Sequence, residues 1–236
     1  MGKHLQRDLD ILRREILTMG TMVEEAINKA INAFVQRREE LAIEVKQGDD
    51  VIDAKENAIE DQVLKTLALH QPVAGDLRFV VMVLKFNHEL ERMGDLAANM
   101  AERTLDLLRW EPLQVEVPIV AMGAMVRSMV RYSLESLVQS DADLARQVCR
   151  EDDAVDHLHR EMFDILLDHM QQQPSAIKRA VDLLSMSRQL ERIADHTTNI
   201  AEDLVFQVEG EVIRHSPEGR RQRENATEDT ERPELG

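Results

Sequence analysis

The chain has 236 residues, a net charge of −16 and a sequence pI near 4.9. This acidity argues against binding to nucleic acid or to an anionic membrane surface, because both interactions need basic residues that neutralise phosphates. The aromatic content of 3% leaves few side chains that can stack on bases. Binding to cations or to a basic protein is compatible with the charge.

The N-terminal residues carry charges where a signal peptide needs an apolar run. No stretch approaches the roughly 20 apolar residues of a membrane-spanning helix. The single cysteine, Cys149, allows no intramolecular disulfide and suits a reducing compartment. We therefore expect a soluble protein in the cytoplasm.

Apolar residues recur at intervals of three and four from the N-terminus, which predicts a first helix over about 5–37. A short helix over about 39–46 follows. We expect Gly48 to interrupt the helix. The aspartates after it can cap the next helix, which extends to about residue 70. A further helix is predicted over about 74–108.

Two prolines in residues 109–118 predict a linker, after which the same order of elements returns. A helix begins near Ile119, a short helix covers about 141–150, and a longer one covers about 152–172. The last helix opens at Pro174 and ends at about residue 208. The sequence therefore predicts an all-α protein of two tandem homologous three-helix bundles.

The duplication is visible in the sequence itself, because LERMGDLAANMAE at 90–102 returns as LERIADHTTNIAE at 190–202. We predict a first three-helix bundle over residues 1–110 and a second over residues 118–215. Residues 216–236 are polar and lack an apolar stripe, so we predict a disordered tail there.

The duplicated phrase concentrates its oxygen-bearing side chains on one face of a helix, in an arc of about 80°. Its apolar residues lie opposite, which places the acidic row at the bundle surface. The preceding helix of each half carries a row of related spacing. The candidate rows are Asp49, Asp53, Asn57 and Glu60; Glu91, Asp95, Asn99 and Glu102; Asp152 and Asp156; and Glu191, Asp195, Asn199 and Glu202.

These rows have two explanations. Each can be the solvated face of an amphipathic helix, although like charges four residues apart destabilise a bare helix. Alternatively, consecutive antiparallel helices bring two rows together to bind metal, because carboxylate and amide oxygens are ligands of hard cations. Imidazole could contribute at the edge, from His88, His157 or His159.

The second half departs from the pattern, since Arg160 and Phe163 stand where Asn57 and Glu60 stand in the first. Arg160 could replace a cation by direct charge pairing. We therefore expect full metal occupancy in the first half more than in the second.

Taken together, three features resemble the PhoU family of phosphate-uptake regulators. They are the doubled LER-x-x-D-x-x-x-N-x-A-E phrase, the lead-in from Pro72 to Arg78, and the closing segment from Glu209 to His215. The resemblance covers about residues 5–215. It implies two homologous three-helix bundles, a cytoplasmic location and a homodimer.

The resemblance also implies metal ions at Glu/Asp-x-x-x-Asp motifs, with iron, manganese, magnesium or zinc as candidates. It implies a non-catalytic role, in which the protein relays the state of the phosphate ABC transporter, through its ATPase subunit, to a sensor histidine kinase. The phosphate-starvation response is then repressed when phosphate is plentiful. The residues that match the motifs are Asp49, Asp53, Glu91, Asp95, Asp152, Asp156, Glu191 and Asp195.

Two other functions stay open from the residues alone. Clustered metals could activate water for phosphoester hydrolysis, although the sequence shows no nucleophile–base constellation and no glycine-rich phosphate loop. A metal-free helical adaptor, whose acidic faces only solubilise it, is the other alternative. A ferritin-like oxidase would need Glu-x-x-His pairs that face a bundle core, and the nearest motif here is Asp156-x-x-His159.

Overall fold

The structure, a computed structural model of the chain, describes residues 3–210. This part of the chain is built from six long helices and contains no strand, so the all-α prediction is confirmed. The predicted tail at 216–236 lies outside the described residues. The helices are α1 (Lys3–Val35), α2 (Glu39–His70), α3 (Ala74–Leu108), α4 (Ile119–Gln139), α5 (Ala142–Gln172) and, after a short 3-10 turn, α6 (Ile177–Glu209).

Each half of the chain forms a three-helix bundle, in which α1, α2 and α3 pack together and α4, α5 and α6 do the same. Each long helix buries an apolar stripe where it packs against its neighbours. On α3 the buried stripe includes Met93, Ala97 and Met100, as the sequence predicted. No helix between residues 3 and 210 combines the length and the apolar composition that a membrane crossing requires.

The two bundles also pack against each other, through α3 with α6 and through α1 with α4. The buried apolar residues consequently form one continuous core, from Leu9 on α1 to Val205 on α6. The predicted domain limits of 1–110 and 118–215 therefore mark a sequence duplication whose halves share a core. Residues 109–118 contain no helix and connect the halves.

Polar contacts show that α3 and α6 run antiparallel. Lys85 Nζ lies 2.7 Å from Asp203 Oδ1, and His196 Nδ1 lies 2.6 Å from Glu89 Oε2. Residue numbers thus rise along α3 as they fall along α6. Burial alone would raise the pKa of Glu89, but the hydrogen bonds from His196 and Asn199 outweigh it and lower that pKa.

The linker is held by one arginine from each bundle. Arg37, just after α1, donates through Nη2 to the carbonyl oxygen of Trp110 at 2.8 Å. Arg179 on α6 donates through Nη1 to the carbonyl oxygen of Glu111 at 2.9 Å. The linker backbone is therefore tied to both bundles.

The predicted helix breaks near Gly48 and residue 151 are wrong, because α2 and α5 each continue through these positions as one helix. A glycine inside a helix costs only about 1 kcal/mol relative to alanine. Burial of a long apolar stripe outweighs that cost; on α2 this stripe includes Val45, Ile52 and Ile59. The aspartates after Gly48 therefore lie in the middle of α2, where they cannot act as caps.

This continuity predicts different effects for two glycine-to-alanine substitutions. A Cβ added at Gly48 would meet nothing within 4 Å, so Gly48→Ala should stabilise the protein by about 0.5–1 kcal/mol. A Cβ added at Gly94 on α3 would lie 3.2 Å from two carbon atoms of Ile52, so Gly94→Ala should give a smaller gain or a loss. Urea denaturation of both variants measures the difference, and a clear loss of stability in Gly48→Ala would contradict a continuous α2.

Candidate functional site

Close packing of α2 on α3 positions the acidic rows. Ile52 on α2 lies against Gly94 on α3, where even one added methyl group would be crowded at 3.2 Å. Both helices turn their apolar stripes to the core, so the flanking polar stripes of the two helices meet at the edge of their interface. The carboxylates of the first bundle are brought together there.

One group of potential metal ligands consists of Asp49, Asp53 and Asp95. One carboxylate oxygen from each residue lies within 4.8 Å of the others. Asp49 is half-buried, and burial together with the negative charges of Asp95, Asp53 and Asp50 raises its pKa to about 6. Ionising all of these carboxylates in the bare protein is therefore unfavourable.

A second group, one turn along the same helices, consists of Glu56, His88 and Glu91. One ligand atom of each lies within 4.8 Å of the others, and His88 Nδ1 lies 3.8 Å from Glu56 Oε1. Burial raises the pKa of Glu91, and the charges of Asp95 and Glu56 add to the increase. Asp95 acts on both Asp49 and Glu91, so the two groups are parts of one electrostatic site.

The remaining predicted ligands of the first bundle lie outside these two groups. The Asn57 amide donates to the backbone oxygen of Asp53 at 2.8 Å, and Glu60 and Asn99 are exposed to solvent. Glu102 Oε1 lies 3.5 Å from Lys46 Nζ, so this carboxylate already faces a positive charge. Whether any of them contributes to metal binding stays a prediction.

The second bundle places its acidic residues differently. Asp152 is 7% exposed, Asp156, Glu191 and Glu202 are half-buried, and Asp195 is exposed. Burial raises the pKa of Glu191, with further increases from Asp195 and Asp156. Among residues 3–210, the three-ligand groups fall in the first bundle and none falls here.

Two side chains near the second row are engaged elsewhere. The Asn199 amide donates to Glu89 Oε2 on α3 at 3.3 Å, across the contact between bundles. Arg160 Nε donates to the backbone oxygen of Asp156 at 3.2 Å, within its own helix. This contact is made to a backbone carbonyl and not to a carboxylate, so the predicted charge pairing of Arg160 with the acidic row stays a prediction.

The comparisons with known proteins agree with this duplicated framework. The family model described as the PhoU domain matches twice, over residues 16–104 and 119–204. The chain belongs to the PhoU family. Each matched segment covers most of one three-helix bundle. The resemblance to this family that the sequence suggested is therefore confirmed.

Relatives within the PhoU family match along almost their whole length. The phosphate-specific transport system accessory protein PhoU homolog of Aquifex aeolicus is 41% identical over 211 residues, which cover 89% of this chain and 96% of that protein. The crystal structure of PhoU from Pseudomonas aeruginosa superposes with a TM-score of 0.85 at 35% identity, covering 87% of this chain and 99% of that one. The phosphate transport system regulatory protein PhoU from Streptococcus pneumoniae gives 0.80 at 28% identity, covering 89% and 99%.

Glu56 is the site residue that the sequence reasoning missed. On a helix it falls at about −20° from Asp49, only about 20° beyond one edge of the acidic arc, whereas Asn57 falls at about 80°, at the other edge. A spacing of seven residues from Asp49 therefore locates this ligand position, whereas the spacing of eight leads to Asn57. His88, considered only as an edge residue, belongs to the same group as Glu56.

The raised pKa of Asp49 predicts how the stability of metal-stripped protein depends on pH. Its usual value of 3.8 rises to about 6 in the folded state, so the folded protein binds this proton more tightly than the unfolded chain. Protonation of Asp49 therefore stabilises the folded state. This stabilisation is fully present below the unfolded pKa of 3.8 and is lost as the pH rises through about 6. Asp49→Asn should therefore stabilise the stripped protein near pH 7, by about 1 kcal/mol or less after solvent screening.

Urea denaturation in chelator, for wild type and Asp49→Asn across this pH range, measures the effect. The stability advantage of the variant should shrink as the pH falls from 7 toward 4. An advantage that is independent of pH, or that grows in acid, would contradict the assignment of a raised pKa to Asp49.

Proposed function

We propose that this chain is a non-catalytic regulator of phosphate uptake and phosphate homeostasis. It acts as a cytoplasmic homodimer that contacts the ATPase subunit of a phosphate ABC transporter. It relays the state of the transporter to a sensor histidine kinase, and it represses the phosphate-starvation response when phosphate is plentiful.

The observation that carries this proposal is the match to PhoU over both bundles. The Aquifex aeolicus relative is named an accessory protein of the phosphate-specific transport system, and the Streptococcus pneumoniae relative is named a regulatory protein of phosphate transport. Near-complete coverage of these relatives supports transfer of their role to the present chain.

We further propose that the first bundle binds divalent or trivalent metal through its two ligand groups, Asp49/Asp53/Asp95 and Glu56/His88/Glu91. The donors fit hard cations such as manganese, magnesium or iron, because five are carboxylates and one is imidazole. A bound ion would offset the repulsion between the carboxylates and link α2 to α3.

The position of these groups favours a structural or signalling use of the metal over catalysis. Two cavities in the described part of the chain, of about 350 and 250 Å³, lie elsewhere. The larger lies between α1 and α4 at Asn28 and Arg127, and the smaller lies beneath the linker at Leu113 and Val115. A hydrolase would need a substrate pocket beside its metal, and a turnover assay with a generic phosphoester tests this alternative directly.

Removal of one carboxylate from each group should weaken metal binding. Glu91→Gln with Asp95→Asn takes one ligand from each group and leaves the helices intact. Metal that binds only the folded state stabilises it by RT ln(1 + [L]/Kd), which is about 2.7 kcal/mol at one hundred times Kd. The double variant should therefore lose most of the rise in melting temperature that Mn²⁺ gives the wild type, while its stability in chelator should be unchanged or higher.

The matched control is Glu39→Gln, which removes an exposed carboxylate from the first turn of α2, outside both groups and outside the predicted rows. Thermal unfolding with chelator and with excess Mn²⁺ is measured for all three proteins. Glu39→Gln should respond to Mn²⁺ as the wild type does. Equal metal-induced shifts in wild type and double variant would show that residues 91–95 form a solvated face.

Deletion of the gene should leave the phosphate-starvation response active in medium rich in phosphate. The physical reason is loss of the contact through which the transporter restrains the kinase. A reporter driven by a starvation promoter measures the response, and a plasmid copy of the wild-type gene should restore repression. Normal repression in the deletion strain would refute the regulatory role, whatever the outcome of the metal experiments.

A further inference from the structure

The two bundles place two pairs of residues in equivalent positions beside their acidic rows. In the first bundle, Asn87 Nδ2 on α3 donates to the backbone oxygen of Glu56 on α2 at 3.0 Å. In the second bundle, Ser187 Oγ on α6 lies 2.5 Å from Nδ1 of His159 on α5. Residues 87 and 187 are equivalent in the duplicated sequence, so these contacts identify residue 159 as the structural counterpart of residue 56.

The motif carboxylates are kept in both bundles, but the residues around them are not. Glu56 is replaced by His159, and His88, which follows Asn87, is replaced by Arg188, which follows Ser187. The first bundle thus has five carboxylates and one histidine at these six positions. The second has four carboxylates, one histidine and one arginine.

Arg188 lies close enough to act on its neighbours in the second row. Burial, Asp195 and Asp156 raise the pKa of Glu191, and the charge of Arg188 opposes that increase. Burial lowers the pKa of His159, and Arg188 adds to that decrease despite the opposing charge of Asp156. A guanidinium is always charged and has five donors but no acceptor, so it stabilises carboxylates and cannot bind a metal ion.

The second bundle therefore does not fit the metal that the family resemblance implies there. Where His88 completes a three-ligand group with Glu56 and Glu91, the equivalent position of the second bundle holds the positively charged Arg188. Within residues 3–210, no three-ligand group forms around Glu191. The two halves share one framework and differ in the residues that surround their motif carboxylates.

We infer that Arg188 is a built-in cation that replaces metal in the second bundle, so that each chain binds metal in its first bundle only. This inference rests on the metal binding proposed above for the first bundle. A chelator or a change in metal supply then alters the contact between α2 and α3 and leaves the contact between α5 and α6 unchanged. Metal dependence is confined to half of the molecule.

Mn²⁺ binding to metal-stripped protein, measured by equilibrium dialysis and elemental analysis, tests the inference. The first-bundle variant carries Asp53→Asn and Asp95→Asn, and the second-bundle variant carries the equivalent changes Asp156→Asn and Asp195→Asn. The first-bundle variant should bind Mn²⁺ at least tenfold more weakly than the wild type. The second-bundle variant should bind the wild-type amount, with an affinity within twofold.

An exchange variant tests the role of Arg188 itself. His159→Glu with Arg188→His gives the second bundle the residues of the first, and it should bind additional Mn²⁺ per chain. Adding Asp156→Asn to the exchange variant should abolish that gain. Circular dichroism establishes that each variant is as helical as the wild type.

The outcomes separate the inference from the function on which it rests. A loss of Mn²⁺ in the second-bundle variant, alongside a loss in the first-bundle variant, would overturn the inference and leave the first metal site intact. Wild-type binding by the first-bundle variant would overturn both. A folded exchange variant that gains no Mn²⁺ would contradict the assignment to Arg188.

Discussion

Repulsion between carboxylates on α2 and α3 is the constraint on which the site depends. Burial of one apolar stripe per helix fixes how the two helices face each other, and Gly94 lets Ile52 approach closely. The same orientation brings Asp49 and Asp95 together, and burial, with the charges of Asp95, Asp53 and Asp50, raises the pKa of Asp49 to about 6. The core therefore holds together groups that would otherwise separate.

This arrangement stores unfavourable electrostatic energy in the metal-free protein. Net stability of a folded domain is only about 5–15 kcal/mol, so a few poorly compensated carboxylates have a measurable effect. A cation bound there, as we propose, would link α2 to α3 through the same groups.

The duplication shows how one framework carries two charge patterns. Lys85 with Asp203 and Glu89 with His196 join α3 to α6, so the bundles form one packed unit. Within that unit, Arg188 stands at the position of His88. Gain or loss of metal between α2 and α3 would then change the charge of the first bundle only, because the second bundle carries its positive charge on Arg188.

The sequence predicted the features that depend on local periodicity. The order of the helices, the buried stripe on α3 and the doubled bundle follow from apolar spacing, which packing then enforces. The break at Gly48 was a wrong prediction, because local propensity was allowed to outweigh a stripe that continues on both sides of the glycine. Glu56 was missed although its seven-residue spacing from Asp49 was visible in the sequence.

Contacts between distant parts of the chain could not be predicted in the same way. The pairing of Glu89 with His196 depends on the packing of α3 against α6, and no local pattern encodes which surface residues meet there. The division of the candidate ligands of the first bundle into two groups likewise depends on the register between α2 and α3. These features required the three-dimensional arrangement of the helices.

Anomalous X-ray diffraction from crystals grown with Mn²⁺ tests the central claim most directly, because it locates metal without substitutions. Our account predicts anomalous density between Asp49, Asp53 and Asp95, or beside Glu56, His88 and Glu91, and none beside Glu191. Density beside Glu191 and Asp156, or its absence from both groups of the first bundle, would contradict it.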